Sequence, residues 1–145
     1  MANNYTVPLP PTGQAGISGT LAQVNGTVGQ SLSVDIIKSG GFALTGLGNA
    51  PTLSVVKSSD NSAVNWLTVA ANGTLAFATG NNAPGASQVG AHALKLKAVN
   101  GNDTAYSSAF TLTLGKTITG DSNVQTTEST AYNDHITGTS GTDTL

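Results

Sequence analysis

Few side chains in this 145-residue sequence are of the types that chemistry needs: two histidines, one tryptophan, seven acids and no cysteine. Without cysteine there is no thiolate nucleophile, no disulfide framework and no cysteine metal site. A histidine metal site needs several convergent ligands, and neither His92 nor His135 has a partner at ligand spacing. His92 falls in register with Leu94 and Leu96, and both histidines are read as structural. Serine and threonine abound, yet no G-x-S-x-G elbow occurs, and a nucleophilic hydroxyl needs a base beside it. None of the acids sits in a context that would raise its pKa, as paired-carboxylate glycoside chemistry requires. No enzymatic activity is expected. The aromatic face of Trp66 suits a sugar ring, but its W-L-x-V surroundings favour a buried place inside a sandwich. Asn-x-Ser/Thr triplets begin at Asn4, Asn25, Asn72 and Asn102; they are read as turn asparagines rather than glycan acceptors.

The elements that must position these residues are short strands. From Ile17 to Leu114 apolar residues recur with period two, the mark of half-buried strands, and no stretch has helical periodicity. SLSVDII puts Leu32, Val34 and Ile36 on one face. TLSVV, NWLTV and TLAFA follow. In AHALKLKAV, His92, Leu94, Leu96 and Ala98 oppose Ala93, Lys95, Lys97 and Val99, and in SAFTLTL, Phe110, Leu112 and Leu114 alternate with Thr111 and Thr113. Asn72-Gly73 and Asn100-Gly101 separate such runs, and Asn-Gly closes hairpins because it accepts positive φ cheaply. Asn25-Gly26 is read as a third break, between TLAQV and SLSVDII. About seven strands at this spacing predict an all-β fold, an antiparallel two-sheet sandwich whose edges must be blunted or paired with another chain.

Two flanks differ from this centre. Residues 1–16 hold Pro8, Pro10 and Pro11, which push their predecessors toward extended backbone, and are read as an arm. Residues 17–114 form the sandwich. Residues 115–145 are poor in large apolar side chains and carry Asp121, Glu128, Asp134 and Asp143; they are read as a separate tail.

Charge narrows the partners. Charged residues make up 8% of the chain, against roughly 25% in an average soluble domain, and the five basic residues, all lysine, are scattered. The polybasic surface that neutralises phosphates is missing, so nucleic acid is not an expected partner. Nowhere do about 18 apolar residues run together, so no membrane span is expected. The opening MANNYTVPLPPTGQ lacks a basic and an apolar region; an export signal, if used, is expected to have been trimmed or to lie elsewhere.

From Val28 to Leu114 the sequence resembles the cadherin-like, immunoglobulin-type modules of bacterial surface proteins. The residues that carry the resemblance are Gly29-Gln30-Ser31-Leu32-Ser33-Val34-Asp35, Asn65-Trp66-Leu67-Thr68-Val69 with Asn72-Gly73-Thr74-Leu75, and the final strand ending in Phe110-Thr111-Leu112-Thr113-Leu114. The resemblance implies an Ig-like or cadherin-like sandwich on an extracellular protein. Family members usually carry an acidic loop after the first long strand; here that place reads GGFALTGLGNAP, residues 40–51, and the carboxylates for calcium at that loop are missing. The tail resembles the start of a repeats-in-toxin (RTX) array with the nonapeptide pattern G-G-x-G-x-D-x-U-x. Gly138, Gly141, Asp143 and Leu145 keep the pattern, with Thr139 in place of a glycine. Nine residues earlier Asn133-Asp134-His135-Ile136 keeps the acid and the apolar residue, with Tyr132 in place of a glycine. The resemblance implies a short β-roll-like or extended tail, and calcium as cofactor, held by glycine carbonyls and Asp carboxylates. The ligands so implied are Asn133, Asp134, Gly138, Gly141 and Asp143.

A Pro-rich arm and a Gly/Thr-rich tail fray in isolation. A neighbouring copy would hold both ends if the arm run Tyr5-Thr6-Val7 or the tail run Lys116-Thr117-Ile118-Thr119 added to a sandwich edge as a strand. Such a head-to-tail contact propagates into a fibre or lattice. The expected function is therefore a non-enzymatic, secreted, self-assembling structural protein, a matrix fibre or surface-layer subunit assisted by calcium. The alternative is an adhesion module for carbohydrate or a host receptor, cut from a larger RTX-type adhesin or secreted enzyme.

Overall fold

The computed structural model describes residues 14–119 and 130–137. Among them are twelve strands: β1 (Gly16–Ser18), β2 (Val24–Thr27), β3 (Ser33–Asp35), β4 (Ala43–Thr45), β5 (Thr52–Lys57), β6 (Leu67–Val69), β7 (Thr74–Phe77), β8 (Gly90–Asn100), β9 (Asp103–Tyr106), β10 (Phe110–Gly115), β11 (Thr117–Thr119) and β12 (His135–Thr137). The count exceeds seven because β1, β4, β9, β11 and β12 span three or four residues each, too few for alternation to show in a sequence.

The fold is an all-β sandwich. Its larger sheet runs β2-β10-β8-β5, with β9 also on β8, and the opposite one runs β3-β7-β6; β1 with β4 and β11 with β12 form two further two-stranded pairs. The long strand β8 organises the first: β5 pairs with Leu94–Val99, while β10 pairs with Gly90–Leu94 and β9 with Lys97–Asn100. Alternation decides which residues enter the core. Leu94, Leu96 and Ala98 of β8 and Phe110, Leu112 and Leu114 of β10 are buried, and they share a core with Leu67 and Leu75 of the opposite sheet. Each of these leucines and Phe110 contributes about 1.5–3 kcal/mol. Between β9 and β10, Ser107 takes over the ladder: its N–H donates to Leu96 O and its hydroxyl accepts from Leu96 N–H, both at 2.9 Å. A buried hydroxyl thus fills a gap where neither strand reaches.

Three local readings need correction. Asn25-Gly26 is not a turn but lies inside β2, and the chain turns after Thr27, where Gln30 N–H donates to Thr27 O. Glycine serves packing here: a Cβ at Gly26 would stand 3.0 Å from a methyl carbon of Leu114 and 3.3 Å from the Phe77 ring. Second, Ile36 and Ile37 are both buried, because β3 stops at Asp35. The Asp35 carboxylate accepts from Ile37 N–H at 3.0 Å and from the Ser39 hydroxyl, and these bonds, the Ser39 one first, lower its pKa. The chain then loops so that Phe42 N–H reaches Ile36 O. Third, the sheets are not wholly antiparallel, since β2 runs parallel to β10, pairing Val24 with Leu112 and Thr27 with Gly115. A parallel partner needs a long crossover, and here nearly the whole sandwich serves as that connection. The Asn72-Gly73 and Asn100-Gly101 hairpins form where expected, with Gly73 at φ 91° and Gly101 at φ 60°.

Candidate functional site

The described part of the tail is built onto the sandwich at the ends of β2 and β10. After Gly115, β11 pairs in parallel with β12: Thr117 with His135, Ile118 with Ile136, Thr119 with Thr137. The partners stand eighteen positions apart, twice a nonapeptide. Backbone His135 N–H donates to Lys116 O at 2.9 Å, and Val28 N–H to Gly115 O at 2.9 Å. Side-chain hydroxyls add Thr27 Oγ1 to Asn133 O and Thr117 Oγ1 to Val28 O, each at 2.7 Å. Gly115 is required by close approach, because a Cβ there would lie 1.9 Å from Asn133 O.

Asp134 is the centre of this dock. Its carboxylate accepts from the Thr130 hydroxyl and N–H and, at 2.9 Å, from Lys116 N–H. These bonds, the Thr130 hydroxyl first, hold its pKa below the ordinary 3.8. Of the five implied calcium ligands, Asn133 and Asp134 are seen: the Asn133 carbonyl accepts from Thr27, and Asp134 acts as a hydrogen-bonding clasp. Gly138, Gly141 and Asp143 lie outside the described residues, as do Tyr5, Thr6 and Val7 of the arm. No group of three or more His, Asp or Glu side chains converges among the described residues. The run Lys116–Thr119 is engaged within its own chain. Ile118 is buried and Ile136 is 40% exposed.

A second constellation lies on the β5 side of β8, towards the same end of that strand as the tail, where β5 ends opposite Leu94. A groove of about 430 Å³ is lined by Lys57, Ser58, Ser59, Trp66, Gln88 and His92, among others. Trp66 packs against the core but is only half-buried, so it differs from the enclosed tryptophan expected. Its backbone carbonyl accepts from Ala78 N–H at 3.0 Å, tying it to the end of β7. The His92 ring stands edge-on to the indole, centroids 4.9 Å apart at 61°, and His92 Nε2 lies 2.7 Å from Gln88 O. Ser58 N–H donates to Ala93 O at 3.0 Å; by strand alternation Ala91, two residues before Ala93, turns its main-chain groups to the same side, beyond the end of β5. His135 belongs to β12 and is exposed.

The sequence held one unused signal for the dock: Ile118-Thr119-Gly120 recurs as Ile136-Thr137-Gly138. Thr27, Val28 and Thr130 carried none, and neither did Lys57, Ser59 and Gln88, which reach the groove from segments other than that of Trp66. Among the described residues no helix is long and apolar enough to cross a membrane. No family model matches the chain, and no curated protein matches it.

Proposed function

We propose that this chain is a non-enzymatic, exported structural module that joins copies of itself by strand addition. The observation that carries the reading is the outer flank of β2. This strand closes one side of the five-stranded sheet, and among the described residues its pairing partner is β10 alone. Exposed strand edges template pairing with another chain unless they are blunted. Neither proline nor lysine interrupts Val24–Thr27. The arm run Tyr5-Thr6-Val7 is the donor on this reading, since Lys116–Thr119 already pairs with β12. The Ig-like and RTX resemblances support an extracellular setting, and the eighteen-residue register of β11 and β12 agrees with a roll of nonapeptides. Calcium at the tail is the further element of the proposal.

Electron microscopy of the purified chain tests it, first with millimolar calcium and then with excess chelator. Ordered fibres or sheets that vanish when residues 1–13 are deleted, with the circular dichroism of the sandwich unchanged, are the expected result. Dispersed particles under both conditions would overturn it. Assemblies indifferent to chelator would keep strand addition and remove calcium from the proposal.

A further inference from the structure

The groove beside Trp66 has no part in the assembly proposed above, and its chemistry is of a different kind. It combines one aromatic ring, packed edge-on against His92, with a rim of hydroxyl, amide and ammonium groups from Ser58, Ser59, Gln88 and Lys57. A pyranose ring has the matching surface, an apolar C–H face that stacks on an indole and hydroxyls around its edge that need donors and acceptors. The volume of about 430 Å³ falls in the range of small-molecule sites, about 300–1,000 Å³. A groove of about 440 Å³ around Leu32, Phe77 and Pro84 has no charged lining residue to orient a ligand.

Charge selects among sugars. Lys57 is the charged residue lining the groove. The neighbouring acid, Asp60, feels the Lys57 charge, and its Oδ1 is engaged within its own loop, accepting from Ser62 N–H at 3.0 Å and the Ser62 hydroxyl at 2.7 Å. Lys57 gives the groove an ammonium for an incoming carboxylate. We propose that the groove formed by Trp66, His92, Gln88 and Lys57 binds a short acidic saccharide, a uronic-acid oligomer, with a sugar ring stacked on Trp66 and a carboxylate beside Lys57.

Trp66 is the one tryptophan in the chain, so its fluorescence reads the site without a label. The full chain is titrated with trigalacturonate and, separately, with neutral maltotriose. A saturable change with trigalacturonate is expected, at least about tenfold tighter than with maltotriose and weakened by added salt. Lys57→Gln lowers the affinity about tenfold, whereas Lys95→Gln, outside the groove, leaves it unchanged. Neither lysine belongs to the core, Lys57 being exposed and Lys95 half-buried, and thermal melts check that each variant is folded. No saturable change up to about 10 mM trigalacturonate overturns the site. Equal affinity for maltotriose overturns the acidic assignment, and undiminished binding by folded Lys57→Gln does the same.

Discussion

Replacing Gly115 by alanine separates the tail from the sandwich without touching the core. Gly115 does not have positive φ, so the backbone accepts alanine; the conflict is purely steric. The new Cβ would stand 1.9 Å from Asn133 O, 2.2 Å from Asn133 C and 2.6 Å from Asp134 N. These are main-chain atoms and cannot rotate aside, so residues 130–137 must lift away. The bonds across the junction are lost in doing so: Lys116 N–H to Asp134 and the β11–β12 ladder, together with His135 N–H to Lys116 O and Thr27 Oγ1 to Asn133 O. The last two alone, at about 1 kcal/mol each, amount to about 2 kcal/mol, which sets a floor of about 30-fold on the increase in the open population. Native-state hydrogen exchange measures this directly. Amides of Lys116 and His135 should exchange faster by that factor or more in Gly115→Ala, while those of Leu94 and Leu96 keep their wild-type protection. Unchanged protection at His135 would refute the docking geometry. Equal loss at Leu94 and Leu96 would show that tail and sandwich open as one unit.

Ser107→Ala removes the acceptor for Leu96 N–H inside the sheet, and an unsatisfied buried donor costs about 1–3 kcal/mol; urea denaturation should show that loss, and an unchanged midpoint would mean another acceptor steps in. For Asp134 the direction of the pH effect follows from its lowered pKa. Its contribution to docking is complete above the ordinary 3.8 and is lost as pH falls through the lower folded value, when the protonated group gives up its role as acceptor. Amide chemical shifts of Lys116 and Thr130 should report that transition, and Asp134→Asn should weaken docking at neutral pH and remove the transition.

How much of this was legible depended on how local each determinant is. Alternation in AHALKLKAV and SAFTLTL located β8 and β10, because side chains on a pleated strand must alternate whatever lies around them. The hairpins at Gly73 and Gly101 were legible for the same reason, since a tight turn is decided by its own few residues. Gly26 misled because the same dipeptide that permits a turn also permits close packing, and only Leu114 and Phe77, far away in sequence, decide between the two. Ile36 and Ile37 defeated periodicity because the Asp35 carboxylate ends the strand from outside the hydrophobic pattern. Trp66 was placed with the core, which it touches. Its exposed part faces a groove assembled from three separate segments, which no single-window reading assembles.

The parallel pairing of β2 with β10 ties together the two features on which the proposed assembly depends. The β2 strand ends at Thr27, and there the Thr27 hydroxyl donates to Asn133 of the tail, one residue before Val28 binds Gly115. An arm adding along Val24–Thr27 would thus finish against the docked tail, whose position depends on the Asp134 clasp. On the proposed reading the tail acts as a stop that sets the register of the incoming strand, because a period-two ladder without such a stop can slip. Gly115→Ala would then do more than loosen the tail. Its assemblies should form through the same edge but lose their regular repeat, whereas deletion of residues 1–13 should prevent assembly altogether. Regular, wild-type fibres from Gly115→Ala would show that register is set within β2 itself.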